Sequence, residues 1–418
     1  MSMDSKMPEI RFKGFIGEWE EKGLGTDVAE IIGGGTPSTS ISEFWDGDID
    51  WYSPTEIGSN VYAEGSQKKI TALGLKSSSA KILPAGNTVL FTSRAGIGDM
   101  AILARPGATN QGFQSFIVKA GFSPYFIYSA GKQIKDFALK HASGSTFLEI
   151  SGKQLGRMKI LMPSSEEQVA IGNYFQKLDV LINQHQQRHN KLSNIKKSML
   201  EKMFPKKGET IPEIRFKGFS GGWDEISLLD SIERIIDFRG RTPKKLGLDW
   251  SPSGYRALSA LNVKQGYIDF SIDPHFGDQE LYDKWMNGSE LHQGQVLFTT
   301  EAPMGNVAQV PNTDKYILSQ RTIAFVVKFE IIVEDFLAVL LRSYNVFREL
   351  SALSSGGTAK GVSQKVLANL NVSIPTDLVE QTAIGNYFQK LDVLINQHQQ
   401  QITKLNNIKQ ACLSKMFV

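Results

Sequence analysis

Residues Ile171 to Gln187 read IGNYFQKLDVLINQHQQ, and the same seventeen letters return from Ile384 to Gln400, 213 positions later. The copies then drift but keep Lys191/Lys404, Leu192/Leu405, Ile195/Ile408, Met203/Met416 and Phe204/Phe417. An internal repeat of this kind sets the organisation of a chain before any local pattern does. In the first copy Ile171, Leu178, His185, Leu192 and Met199 fall seven apart, with Phe175, Ile182, His189 and Met203 four residues after most of them. The second copy places Ile384, Leu391, His398, Leu405 and Cys412 on the same grid, flanked by Phe388, Ile395, Ile402 and Met416. Such a seam, free of Gly and Pro from Asn173 to Phe204, predicts a long helix whose natural partner is the other copy. From near Glu166 to Pro205 it would run roughly 58 Å at about 1.5 Å per residue. His185 and His398 occupy equivalent a positions in its polar middle. A polar residue there costs stability but penalises wrong registers, and no Cys, Asp or Glu accompanies them at the spacing a metal site needs.

Composition bounds the rest. The 418 residues allow two or three domains with real cores. No signal peptide and no membrane-length apolar run is visible, so a soluble, cytoplasmic protein is expected. The single cysteine, Cys412, excludes disulfides and zinc fingers and fits a reducing compartment. Net charge is only +3, but from Arg188 to Lys207 seven Lys or Arg stand against one Glu. That run is read first as a solvated helix face, which permits nucleic acid without requiring it.

The repeat extends beyond the helices. PEIRFKGF, Pro8 to Phe15, returns as Pro212 to Phe219, followed in each case by a tryptophan, Trp19 or Trp223. The chain therefore divides into a globular segment (1–165), a helix (166–204), a second globular segment (205–377, opened by a linker at 205–211) and a second helix (378–418). Between the segments, Thr36-Pro37 answers to Thr242-Pro243, the strand Val89 to Thr92 to Val296 to Thr299, and Phe116 to Val118 to Phe325 to Val327. A helical stretch follows in each, Tyr125 to His141 and Val333 to Leu353, then a Gly-Ser-Thr loop, Gly144 to Thr146 and Gly356 to Thr358. Ser151, Leu155, Ile160 and Pro163 match Ser363, Leu367, Val372 and Pro375, and each series closes on Glu-Gln, Glu167-Gln168 or Glu380-Gln381. Turn formers and core strand residues shared in this order specify one fold used twice. Near-identical helices beside divergent segments have two explanations, exchange between the copies or one partner surface met twice while each segment meets a different target.

In this order, twice, these motifs resemble the specificity subunit of a type I restriction-modification system, over essentially the full length. The resemblance implies a mixed α/β fold of the α+β kind: two target-recognition domains separated by two long helices pairing as an antiparallel coiled coil, with an internal pseudo-twofold repeat. It implies a non-catalytic chain whose two domains read the halves of a bipartite double-stranded DNA site while the helices set the gap. It further implies two methylation subunits and up to two restriction subunits as partners, which would use S-adenosylmethionine, ATP and Mg2+, this chain holding no cofactor or metal. Two equivalent helices would offer two equivalent surfaces to two copies of one protein. The rod length bounds the separation of the recognition centres at roughly 17 base pairs, and domains that flank its middle and face one groove would stand one helical turn, about 10 pairs, apart.

Base reading needs directional donors and acceptors on loop tips. The strand-end loops carry Ser93-Arg94 in one half and Thr300-Glu301 in the other; a guanidinium can fork onto guanine and a carboxylate can accept from cytosine. Lys68, Lys69, Asn110, Gln111 and Gln114 are the other candidates in the first half, and Arg239, Arg241, Lys244, Lys245, Arg256, Gln320, Arg321 and Lys360 in the second. The basic, turn-rich stretch from Arg239 to Lys245 suits phosphate better than bases.

Enzyme motifs are weak. Gly96-x-Gly98-x-x-Ala101 lacks the acidic residue of a dinucleotide site and reads as a turn. Ser193-x-x-Lys196 loses its serine to Asn406 in the repeat, and no phosphate loop, H-E-x-x-H or adenine-methyltransferase motif is present. Two rivals stand beside the DNA reader, a coiled-coil protein adaptor and a self-contained nuclease.

Overall fold

A computed structural model describes residues 6–58, 60–94, 96–144, 148–272, 275–354 and 361–418. The chain forms two compact units, one of residues up to His185 together with Gln401–Val418, the other of Gln186–Gln400. Both repeats are helical as their heptads predict, Ser165–Lys202 and Leu378–Lys415, 38 residues each. Their first turns carry Glu166 and Glu167 or Glu380, negative charge where the helix dipole favours it. Each helix thus gives one end to each unit.

In the first unit a five-stranded sheet runs in the order Ala29–Gly33, Gln114–Val118, Thr88–Phe91, Met100–Leu103, Tyr62–Ala63. Its counterpart in the second unit has four strands, Ile232–Asp237, Thr322–Val327, Val296–Thr299 and Val307–Gln309. The matched strands Thr88–Phe91 and Val296–Thr299 lie inside these sheets and are buried on both faces. That explains their unbroken apolar run. Alternation still sorts their side chains. Val89 and Phe91 join Phe126 and Phe175 on the helical side, while Leu90 joins Tyr52, Leu83 and Phe113 on the other. Val296 and Phe298 pack with Phe336 and Phe388, and Leu297 with Trp285 and Ile317. A three-stranded sheet accompanies each, Lys68–Ile70, Trp45–Tyr52, Gly107–Thr109 in one and Phe276–Gly277, Tyr255–Leu258, Tyr316–Leu318 in the other.

The helical stretch expected after the second matched strand is broken in both units. The first divides into Pro124–Ser129 and Gly131–His141, the second into Glu334–Leu340 and Tyr344–Leu353. Ser343, extended, interrupts the second pair. Of the Gly-Ser-Thr loops, only Gly144 lies within the described residues.

The duplicated motifs turn out to be clasps. Arg11 of the opening motif donates to both carboxylate oxygens of Glu167, at 2.7 and 2.6 Å, and to the Gly17 carbonyl. Arg215 grips Glu380 at 2.7 Å twice and the Gly221 carbonyl. Glu167 and Glu380 are each 1% exposed. The neighbouring glutamines sew the helix start to the sheet layer: Gln168 bridges Pro163 O and Ser123 N, and Gln381 bridges Pro375 O and Val333 N. The far helix ends are plugs. Phe417 packs on Trp19, Phe126 and Phe175, with ring centroids 6.3, 5.1 and 6.0 Å away. Phe204 does the same on Trp223, Phe336 and Phe388, at 5.8, 5.9 and 6.5 Å.

Along the seam, Ile171, Phe175, Leu178, Ile384, Phe388 and Leu391 are buried. Ile182, His185, Leu192, Met199, Ile395, His398, Leu405 and Cys412 are half-buried. In the first unit Leu405, Ile408 and Cys412 pack against the cluster that holds Ile171 and Phe175. In the second, Leu192, Ile195 and Met199 pack against the one that holds Ile384 and Phe388. The start of one helix therefore lies against the end of the other, an antiparallel pair. Lys409 meets Asp179 at 2.5 Å and Lys196 meets Asp392, positions 213 apart in both partners.

Candidate nucleic-acid interface

At one end of each main sheet the backbone builds the same loop cluster twice. Ser93 N donates to Gly112 O and Thr300 N to Arg321 O, both at 2.8 Å. Ile150 N donates to Ser93 O at 3.1 Å, Val362 N to Thr300 O at 2.8 Å. Thr92 and Thr299 hydroxyls tie the hairpin turns through Gly96 O and Pro303 O, each at 2.6 Å. Gly96 and Gly98 both have positive φ in a strand-to-strand turn, not the strand-to-helix turn of a phosphate cradle.

On this shared scaffold the side chains diverge. The first unit brings Arg94, Asn110, Gln111 and Gln114 together. Asn110 Oδ1 accepts from Gly112 N at 2.7 Å, Gln111 Oε1 accepts from the Thr36 hydroxyl, and the backbone of Arg94 pairs antiparallel with that of Glu149. Gly34 lies so close to the Asn110 carbonyl that a Cβ has no room. Lys68 and Lys69 sit apart, on the three-stranded sheet. Lys68 lies over the Trp45 ring and Lys69 3.6 Å from Asp50.

The second unit brings together Arg239, Arg241, Glu301, Gln320 and Arg321. Arg239 forks onto Asp237 at 2.5 to 3.0 Å and reaches Val362 O, and the hydrogen bond to Asp237 holds its guanidinium above its ordinary range. Arg241 lies over Phe238 and donates to Trp285 O. Gln320 donates to Arg241 O at 3.4 Å, and Arg321 stands 3.4 Å from Glu301. Arg321 and Ala302 have φ of +62° and +48°, unfavourable backbone of the kind that gathers at functional loops. Lys244 is exposed and Lys245 donates to Gly240 O. Arg256 sits instead on the three-stranded sheet between Phe270 and Phe276. Lys360 lies outside the described residues.

The alignment of hydrogen bonds pairs Arg94 with Glu301, Gln111 with Gln320 and Gly112 with Arg321. One cluster carries the half-buried Arg94 where a carboxylate and a guanidinium, Glu301 and Arg321, meet in the other. Asp237 was not singled out from the sequence, and neither were the Asp179–Lys409 and Asp392–Lys196 pairs. The signal for the latter was present, an Asp and a Lys seventeen residues apart retained in both copies.

Duplicated helices that clasp and plug two copies of one α/β scaffold, each exposing its own polar loop cluster, define a two-module protein. The sequence matches the family described as type I restriction modification DNA specificity domain twice, over residues 16–194 and 223–407, and the chain belongs to that family. It is 35% identical over 234 residues to the type I restriction enzyme MjaIX specificity subunit of Methanocaldococcus jannaschii, a match covering 55% of this chain and 51% of that one. It is 34% identical over 176 residues to the EcoR124I/EcoR124II specificity subunit of Escherichia coli, covering 40% of this chain and 42% of the relative. These matches span about half or less of the curated relatives. The crystal structure of a type I restriction-modification S subunit from M. genitalium shares the fold, with a TM-score of 0.63 at 14% identity over 99% of each chain.

Proposed function

We propose that this chain selects the DNA sequence for a type I restriction-modification complex and performs no chemistry itself. Each globular half, 1–165 and 205–377, reads one part of a bipartite duplex site through its loop cluster. The paired helices, 166–204 and 378–418, set the gap and dock two methylation subunits, with up to two restriction subunits joining. S-adenosylmethionine, ATP and Mg2+ belong to those partners. The observation that carries this is the twin loop cluster: identical backbone bonds, unlike side chains. A scaffold that serves packing alone gives no reason for one copy to carry Arg94 where the other carries Glu301, whereas guanine and cytosine call for those two groups. Arg239 and Arg241, held by Asp237 and Trp285, suit phosphate positioning, and Lys244 can add charge without breaking a bond.

The test is to purify the chain with its methylation subunits, select from a random duplex pool, and sequence the methylated sites. A two-part motif is expected, and Arg94→Ala should relax discrimination at positions in one half only, by about 1–3 kcal/mol. Enrichment of no sequence, or cleavage by the chain alone, would discard the proposal.

A further inference from the structure

The two units differ most in one groove. In the first unit the outer edge of strand Met100–Leu103 is covered by the chain's own strand Tyr62–Ala63, Ile102 N donating to Val61 O at 2.7 Å. The Tyr62 hydroxyl accepts from Gln176 of the long helix at 2.7 Å, and its ring packs beside Tyr125, which in turn packs on Tyr128. In the second unit the equivalent strand, Val307–Gln309, is the last of its sheet, met by a single backbone bond from Gly266 N to Val307 O at 2.7 Å and by no paired strand among the described residues. Gly172 abuts Tyr125 and Phe126 as Gly385 abuts Asp335 and Phe336, so Asp335 stands where Tyr125 does and Ala338 where Tyr128 does. Two rings are gone, Arg342 holds Asp392 where Tyr125 holds Asp179, and a groove of about 450 Å3 opens beside them, walled by Tyr267, Gln309, Asp335, Arg342, Gln389 and Val393. Gln389, the twin of Gln176, is exposed there. Asp335 is half-buried, accepts from Gln309 Nε2 at 2.7 Å, and has no ion-pair partner among the described residues. Tyr267 and Val393 are about half exposed, at 48% and 51%.

We infer that this groove receives a segment of the methylation subunit carrying an aromatic side chain next to a basic one. This rests on the proposed function. The ring takes space that Tyr125 and Tyr128 fill in the sister unit, a hydroxyl can meet the Gln389 amide as Tyr62 meets Gln176, and the cation answers the Asp335 carboxylate, which has no ion-pair partner among the described residues. A nucleic acid is disfavoured because the same carboxylate repels phosphate. The two docking surfaces are then unequal: the helices are the same, but only the second unit supplies an extra anchor.

Titrating the full chain with its methylation subunit, followed by calorimetry and native mass spectrometry, tests this. The wild-type chain should take up two copies with stepwise affinities at least about tenfold apart. Val393→Trp, on an exposed helix position, should weaken the tighter step about tenfold by filling the groove, and Asp335→Asn should weaken it several-fold. Val180→Trp, the twin position beside the filled groove, should change neither step by as much. Equal effects of the two tryptophans, an unchanged tighter step in Val393→Trp, or weakened duplex binding with intact subunit uptake would overturn the inference. Failure of the wild-type chain to bind any methylation subunit would instead overturn the proposed function.

Discussion

Buried charge decides the behaviour of single residues here. Arg11→Met leaves the Glu167 carboxylate buried without its guanidinium, which should cost about 3–5 kcal/mol in denaturant unfolding; Arg215→Met should match it through Glu380. The inter-helix pairs should not match. Asp392 also holds Arg342 at 2.5 Å, whereas among the described residues Asp179 has beyond Lys409 the Tyr125 hydroxyl alone, at 2.6 Å. Burial also lowers the pKa of Lys196, against the pull of Asp392, so its charge adds little net stability at neutral pH. Lys196→Met should therefore be nearly neutral, and Lys409→Met should cost about 1–3 kcal/mol. Burial raises the Tyr52 and Tyr128 hydroxyls to about 12, above the ordinary 10.0. The unfolded chain then loses those protons first. Stability should be intact below about pH 10 and fall as pH rises towards about 12, visible as a drop in melting temperature across that window. None of these partners could be read from the sequence, because Arg11 and Glu167 lie 156 residues apart. Repetition flagged the residues as shared; only the fold shows that they touch.

Among elements, the long helices were the most legible. Seven-residue spacing gave their existence and their partnership with each other, which depend on local periodicity, while the antiparallel arrangement came only with the family resemblance. The pattern did not disclose that Met-Phe at each helix end leaves the seam to enter an aromatic cluster. A terminal Phe one residue past the last seam position looks the same whether it faces a helix or a sheet layer. Phe204→Ala, at a position 3% exposed, should cost about 3–5 kcal/mol and change the emission of Trp223, its neighbour. The loop clusters were legible as positions and not as contacts: Arg94 and Glu301 stood out by alignment, but the grip of Asp237 on Arg239 needed the backbone turn that places them.

For the whole molecule, the duplication organises both stability and the proposed DNA reading. Lengthening both helices by four residues, near Gln186 and Gln399, adds about 6 Å and should widen the preferred gap in methylated sites by roughly two base pairs. Lengthening one alone offsets Asp179 from Lys409 and Asp392 from Lys196, and should prevent assembly with partners. An unchanged gap after the double insertion would mean that something other than the helices sets it.

The plug at Phe417 has a further consequence for synthesis. The pocket formed by Trp19, Phe126 and Phe175 emerges from the ribosome long before its stopper, Phe417, is translated. At ordinary elongation rates the nascent first half waits on the order of ten to forty seconds with an open aromatic socket. Chaperone dependence and aggregation during expression should be concentrated in that interval, and a chain stalled before Phe417 should be the species that chaperones hold.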